Sequence, residues 1–274
     1  MPNASERAPT TRIVQSRHNA RVKELRRAFA QPGRGERRLA AIEGELLLGE
    51  AVRSGLAVET LFVRSGNEAV LQRLAVEPGE VLELPADVFA SAIETESPQG
   101  VAALVAAPQF GAEEIFPERG NALLLVMAGL QDPGNAGTLI RSAEAFGASG
   151  AVLLPGTVNP WNAKAVRASA GSVFRLPVVS LRVEEMTALL RERGVRLLAA
   201  AADGDVVLSE AGLDGPVALV VGNEGGGVPA EVMAAADARV AIRCPGPVES
   251  LNAAVAGSIL LYEAARQRAG AMGR

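Results

Sequence analysis

The sequence predicts an α/β protein in two parts, a small N-terminal α/β unit and a larger unit built on a mostly parallel sheet. Three observations carry this. Short apolar runs alternate with helical patterns along nearly the whole chain. Its 274 residues exceed the usual size of one domain. The Pro/Gly-bearing and mostly acidic stretch PQFGAEEIFPERG interrupts the alternation and places a linker at residues 108–120.

Residues 1–11 read as disordered. SRHNARVKELRRAFA then reads as a short amphipathic helix with Val22, Leu25 and Phe29 on one side, and QPGRG breaks it, so residues 1–34 form a basic arm and helix. Residues 35–107 form a compact unit: strand AAIEG, helix ELLLGEAVRS, strand VETLFV, a helix near residues 68–74, and strands EVLEL and VAALVA. The block 121–274 opens with strand ALLLVMA and helix GNAGTLIRSAEAFG, then strand AVLLP and helix NPWNAKAVRAS. RLPVV, the helix VEEMTALLRERG, VRLLAAAA, VALVVG and the helix VPAEVMAAA continue the pattern, which implies a mostly parallel sheet covered on both faces. The last helix lies within CPGPVESLNAAVAGSILLYEAARQR, an apolar run too short for a membrane span and therefore expected to be buried in protein on nearly all sides.

Composition narrows the chemistry. At 49% hydrophobic and 3% aromatic residues, Ala, Val and Leu must fill the core. With Cys244 and His18 the sole residues of their types, an internal disulfide and a Cys/His zinc cluster are both excluded, and no metal is expected. His18 stands in a basic segment, where a solvated or RNA-facing role fits better than general-base work. Cys244 lacks a second histidine to activate it and reads as a small strand-end residue. The polar, arginine-rich N-terminus resembles neither a signal peptide nor a membrane span, so a soluble cytoplasmic protein is expected. The net charge of −4 hides an asymmetry: residues 1–38 carry ten Lys/Arg against three Asp/Glu, and the remainder 17 against 28. A basic arm on an acidic body suits a polyanion partner, with a solvated tail as the alternative.

Three polar islands interrupt the second block. In GLQDPGNAGTLIRSAEAFGASG, Asp132 and Pro133 suit a helix start, and Arg141 would lean over Gly137 and Thr138 toward Asn135 at a strand's carboxyl end. In VALVVGNEGGGVPAEV, a buried strand runs into Gly222, Asn223, Glu224 and three glycines, an arrangement that is neither a dinucleotide fingerprint nor a Walker loop. The third runs from Ile242 to Asn252. There Ser250 suits an N-cap, and Asn252 needs hydrogen-bond partners of its own. Ligands bind outside the carboxyl ends of strands in open α/β sheets, so three such islands in one half suggest a shared pocket.

DPGNAGTLIRSAEAFG, KAVRASAGSVFRLPV, VGNEGGGVP and IRCPGPVESLNAAVAGSILLYEA resemble, in order and spacing, the motifs of the SpoU-type (TrmH-like) RNA 2'-O-ribose methyltransferases of the SPOUT superfamily. AIEGELLLGEAVRSG and SPQGVAALV resemble, more loosely, the ribosomal-protein-like substrate-binding domain that often precedes this catalytic domain. The resemblance implies a deep trefoil knot in the C-terminal domain, S-adenosylmethionine as cofactor, and a homodimer in which Arg141 works at the partner's cofactor. It also implies Asn135, Arg141, Glu224, Ser250 and Asn252 as active-site residues, and Gly222, Ile242 and Leu251 as cofactor contacts. Where many relatives have SLNVS this chain has SLNAA, with Ala254 replacing a hydroxyl.

The expected activity is therefore S-adenosylmethionine-dependent methylation of RNA ribose, with the N-terminal domain favouring 23S ribosomal RNA over tRNA. The alternatives are the same chemistry on tRNA or a non-enzymatic RNA-binding protein. Ser250, Asn135 and Asn252 are expected to orient the ribose and Arg141, Glu224 to order the glycine loop, and Arg17, Arg21, Arg26 and Arg27 to grip phosphates.

Overall fold

The computed structural model describes residues 11–74, 76–95, 97–248 and 250–272, so the stretch 1–11 expected to be disordered, the first part of the expected arm 1–34, lies almost wholly outside the described residues. The chain divides into two compact units. The first takes in the residues up to Pro108 together with Trp161–Arg167; the second takes in Gln109–Pro160 and the residues from Ala168 onward.

In the first unit the elements are β1 (Thr11–Ile13), α1 (Ala20–Ala30), β2 (Leu39–Glu43), α2 (Glu45–Arg53), β3 (Val58–Arg64), α3 (Val70–Arg73), β4 (Glu80–Leu84), α4 (Ala86–Ala90) and β5 (Val101–Ala106). The sheet order is β1-β4-β3-β5-β2, with β1, β4 and β3 mutually parallel and β5 antiparallel to both β3 and β2. Helix α1 is capped by Asn19, whose side chain accepts from the Arg21 N–H at 2.8 Å. Its apolar face puts Val22, Leu25, Ala28 and Phe29 into one core with Leu39, Phe62, Leu82, Phe89 and Leu104. The helix expected to belong to an arm is thus part of this core. Burying four apolar side chains, at roughly 1.5–3 kcal/mol for a large one, ties it to the sheet far more firmly than an arm.

The second unit begins with a 3-10 turn (Ala112–Ile115) and continues β6 (Leu123–Ala128), α5 (Pro133–Ala145), β7 (Gly150–Leu153), α6 (Ala163–Ser169, grouped with the first unit through Arg167), β8 (Val178–Ser180), α7 (Val183–Glu192), β9 (Arg196–Ala200), β10 (Val206–Val207), β11 (Val217–Gly222), α8 (Ala230–Ala235), β12 (Ala238–Ala241) and α9 (Ala253–Met272). Its seven strands are parallel throughout, in the order β10-β12-β9-β11-β6-β7-β8. Every residue of β6 and β11 is buried, as expected of strands covered on both faces.

Strand β6 is the first of this sheet, yet it sits in the middle, with β7 and β8 laid down on one side and β11 and β9 on the other. The order therefore reverses between β6 and β11. That is where a crevice opens at the carboxyl ends of an open sheet. Leu123 pairs with Val217 and Ala128 with Gly222, so the two strands end level.

Helix α9 packs on α5 and β11. A Cβ at Gly257 would run into the side chains of Leu139 and Val221, so the glycine sets how closely α9 lies on them. The same helices are joined by hydroxyls: Ser142 and Ser258 are 2.7 Å apart, and Ser258 donates to the Ala254 carbonyl one turn back. Contrary to the sequence expectation, α9 is not buried on nearly all sides. Val255 is 48% and Tyr262 55% exposed, two turns apart on one face. No helix among the described residues is long and apolar enough to cross a membrane.

Candidate active site

Asn135, Glu224 and Asn252, each from a different island, meet above the β6/β11 pair. Asp132 caps α5 by accepting from the Asn135 N–H at 2.8 Å, which fixes Asn135 in the first turn after β6. The side-chain amide of Asn135 then works in both directions. Its Nδ2 donates to Oε1 of Glu224 at 2.8 Å, and its Oδ1 accepts from Nδ2 of Asn252 at 3.1 Å.

Asn252, not Ser250, is the N-cap of α9. Its Oδ1 accepts from the N–H groups of Ala254 and Val255 at 2.9 and 3.2 Å. Both residue types cap well, and the choice follows from where the helix starts: at Ala253, Asn252 is the flanking residue, whereas Ser250 lies two residues too early. Capping leaves the Asn252 NH2 free for Asn135, which gives the asparagine the partner its position demands. Ser250 is exposed and makes no hydrogen bond with any described residue. Ala254 is buried, its N–H taken by the cap, and the fold needs no hydroxyl there.

The glycine turn is ordered by Asn223, which sequence reasoning passed over in favour of Glu224. Asn223 and Gly227 exchange two backbone hydrogen bonds of 2.9 Å. Inside that loop, Oδ1 of Asn223 accepts from Gly225 and Gly226 at 2.8 and 3.1 Å, while its Nδ2 donates to the Gly129 carbonyl at 2.8 Å, tying the turn to the end of β6. The signal was in the sequence: asparagine bonds its own backbone two or three residues on, and here it stands between a strand and three glycines. Gly222 closes the same turn. A Cβ on it would overlap the backbone of Gly227 and Val228, so its small size is used by the protein itself.

Glu224 is thereby freed to face Asn135. Burial raises its proton affinity, but the Asn135 amide and the backbone N–H groups of Glu224 itself, Gln131 and Asp132 outweigh it and hold the carboxyl below its ordinary range. Glu224 is therefore an anion at neutral pH and a weak base.

Arg141 is an exposed residue of α5, and its side chain makes no hydrogen bond or ion pair with any described residue. The expected approach to Asn135 is not realised as a bond: six residues along a helix is about 240° around it, so the two leave on different faces. Ile242 follows β12 and Leu251 precedes the cap, both half-buried. Cys244 is exposed, three residues beyond the end of β12. No group of three or more His, Cys, Asp or Glu placed to hold a metal occurs among the described residues.

A parallel sheet with polar groups gathered at its reversal point defines a ligand-binding α/β protein, and the comparisons give the class. The SpoU rRNA Methylase family matches residues 122–262, and the MRM3-like substrate binding domain matches residues 19–103. The 23S rRNA (guanosine(2553)-2'-O)-methyltransferase RlmP of Bacillus subtilis is 33% identical over 250 residues, 91% of this chain and 97% of that protein. The crystal structure of an S-adenosylmethionine-bound rRNA methyltransferase from Sinorhizobium meliloti superposes with a TM-score of 0.82 at 32% identity, covering 93% of this chain and 98% of that one. That of the SpoU methyltransferase AviRb from Streptomyces viridochromogenes, also with the cofactor, gives 0.79 at 29% identity, covering 92% and 98%. The chain belongs to the SpoU rRNA methylase family. All three side chains of the Asn135–Glu224–Asn252 cluster fall within the matched segment.

Proposed function

We propose that the protein transfers a methyl group from S-adenosylmethionine to a ribose 2'-oxygen of RNA, and that the RNA is 23S ribosomal RNA. The observation that carries the reading is the Asn135–Glu224–Asn252 cluster at the β6/β11 reversal point. The ribosomal substrate is supported by the name of the Bacillus relative and by the matched substrate-binding domain. A cytoplasmic location accords with such a substrate.

The residues suit the donor. Gly225 and Gly226 are exposed and, with their N–H groups taken by Asn223, present their carbonyl groups without side chains in the way, Ile242 and Leu251 offer half-buried apolar surface, and the Glu224 carboxylate is an anion suited to a cationic ligand. In this reading Gly222, Ile242 and Leu251 hold the cofactor, with Gly222 contributing its backbone. When bound, S-adenosylmethionine supplies an electrophilic methyl group on a sulfonium.

What remains for the protein is to place the ribose in line and manage one proton. Alignment contributes about 7–11 kcal/mol in the best intramolecular cases. Asn135, Ser250 and Asn252 orient the ribose, with the first and last locked by their mutual bond. The 2'-hydroxyl loses its proton as the oxygen–carbon bond forms. Arg141 is poorly suited to take that proton, because a guanidinium stays protonated in proteins and would have to give up its own proton before acting as a base. Exposed and unpaired among the described residues, it serves as a cation that holds the target phosphate and stabilises the negative charge that grows on the 2'-oxygen as its proton passes to that phosphate.

The reading includes a homodimer. Val255 and Tyr262 leave an apolar stripe on α9, and Phe146, the residue that caps the C-terminus of α5, meets the Tyr262 ring edge-on at 5.7 Å, which extends it. A second copy on that stripe brings one chain's α5, and Arg141 with it, toward its partner. The knotted threading implied by the resemblance belongs to the same reading. It is supported by the chain's course after β12, beyond β9 in the sheet, back to α9 packed on β11 and α5.

Mapping 2'-O-methyl positions on 23S ribosomal RNA and tRNA, in cells with and without the protein, tests the assignment. One 23S position that depends on the protein supports it. Loss confined to tRNA refutes the substrate, and no loss anywhere refutes the activity.

A further inference from the structure

The first unit carries a cationic face on α1. With Val22, Leu25, Ala28 and Phe29 buried, Lys23, Arg26 and Arg27 stand exposed three and four residues apart on one side of the helix. Three nearby acids are already engaged. Glu24 accepts from Arg21 at 2.7 Å and from Arg37 at 3.0 Å, Glu80 accepts from Arg21 at 3.0 Å, and Arg37 also pairs with Glu59. Arg21, expected from the sequence to grip phosphate, is therefore neutralised within the protein. Arg26 donates to the neutral Ser91 carbonyl at 3.1 Å and keeps its charge uncompensated. The side chains of Lys23, Arg27 and Arg34 make no ion pair or hydrogen bond with any described residue.

Arg27 from the helix and Arg34 from the following turn line one hollow of about 240 Å³, with Gly35, Glu36 and Arg37 also on its wall. Glu24 also lines the hollow but is held by Arg21 and Arg37, and Glu36 makes no ion pair with a described residue, so the uncompensated guanidinium groups of Arg27 and Arg34 face one uncommitted carboxylate. Guanidinium presents paired N–H donors that match phosphate oxygens, a geometry lysine lacks.

We propose that this hollow takes a phosphodiester group of the substrate RNA on Arg27 and Arg34, with Lys23 and Arg26 continuing the contact along the strand. The inference rests on the RNA methyltransferase reading and adds to it a site separate from the methyl-transfer residues. Phosphate contacts of this kind position the RNA without reading its sequence. RNA fits better than an anionic membrane surface, because the apolar side chains of α1 are buried and none remains to enter a bilayer.

Deleting α1 would remove part of the core, so the test uses exposed point substitutions in the full-length protein. Binding of a fluorescein-labelled 30-nucleotide RNA hairpin is measured by anisotropy between 50 and 300 mM KCl for three forms: the unaltered protein, Arg27→Gln/Arg34→Gln, and a charge-matched control, Arg119→Gln/Arg191→Gln. The first double variant is expected to bind several-fold more weakly, with its log–log salt slope shallower by about two, one per lost phosphate contact. The control is expected to keep the parent slope. Equal losses in the two variants reduce the effect to net charge and overturn the site, as does parent-like binding by Arg27→Gln/Arg34→Gln. Binding of phosphatidylglycerol vesicles by the unaltered protein, lost in that same variant, assigns the face to a membrane and also overturns it. S-adenosylmethionine affinity, read by calorimetry on each form, separates the two readings: unchanged donor binding with parent-like RNA binding defeats this site alone, whereas no donor and no RNA binding by the unaltered protein defeats both.

Discussion

The side-chain amide of Asn252 donates to Oδ1 of Asn135 across 3.1 Å, joining residues 117 positions apart, while the same Asn252 caps α9 with its oxygen. The two functions separate by substitution. Asn252→Ala loses both, and about 1 kcal/mol of stability is expected to go with the cap. Asn252→Asp keeps a capping oxygen but sets a carboxylate against the Asn135 oxygen and near Glu224. It is expected to melt close to the parent while losing most methyl transfer. Thermal melts beside a methyl-transfer assay decide; an active Asn252→Asp variant would show that the bridge to Asn135 is dispensable.

Arg141 is exposed and without a partner among the described residues, so its replacement is expected to leave the melting temperature unchanged and act on activity alone. If its charge is what matters, Arg141→Lys retains partial activity and Arg141→Ala almost none. The lysine keeps the cation and loses the planar fork. Initial rates of the two variants at saturating donor test this, and a lysine variant as inactive as the alanine one refutes the electrostatic role.

Gly222→Ala places a methyl against the backbone of Gly227 and Val228, atoms that cannot swing aside as a side-chain tip could. Overpacking of this kind costs about 1–3 kcal/mol. The expected outcome is a lower melting temperature together with weaker S-adenosylmethionine binding, because the displaced turn is the one proposed to face the donor. Calorimetry of the variant measures both, and unchanged donor affinity would remove the turn from the cofactor site.

The pH behaviour of Glu224 follows from its depressed pKa. A carboxyl held below its unfolded value, about 4.3, stabilises the fold fully above that pH and loses the contribution as pH falls through the lower folded value. Its bond to Asn135 is therefore expected to persist unchanged from pH 8 to 5 and to weaken only in stronger acid. Carbon-detected NMR titration of the Glu224 carboxyl checks the sign; a midpoint above the ordinary range would instead make it a candidate base.

Val255 and Tyr262 expose apolar surface on a helix that otherwise buries it. Val255→Glu places a charge in that stripe and is expected to halve the mass seen by sedimentation at micromolar concentration, without unfolding the chain. A parent protein that sediments as a monomer excludes the dimer.

The long elements were readable because their periodicity records burial. The unbroken apolar runs LLLVMA and VALVVG are β6 and β11, and the spacing of Val22, Leu25 and Phe29 is the buried face of α1. Elements without such a record were missed. Thr11–Ile13 is exposed throughout and becomes a strand only by pairing with β4, and Val206–Val207 is too short to show a period. Helix α4 has five residues, too few for a helical repeat to stand out. At the site, residue identities were legible but their pairings were not. Asn252 and Ser250 are equivalent as caps until the start of α9 is fixed, and the bond that gives Asn252 its second function comes from a distant helix. The assignment of Asn223 to the glycine turn was local, and chemistry alone could have found it.

The most direct measurement follows the methyl group itself. Tritium-labelled S-adenosylmethionine is incubated with the protein and in vitro transcribed 23S ribosomal RNA, and the product is hydrolysed in alkali, which cleaves only where a free 2'-hydroxyl can attack the neighbouring phosphate. Label is expected in alkali-resistant dinucleotides, abolished by Arg141→Ala and by Asn252→Asp. Label in mononucleotides, which marks methylation of a base, or label that survives both substitutions would contradict a ribose methyl transfer centred on Asn135, Glu224 and Asn252.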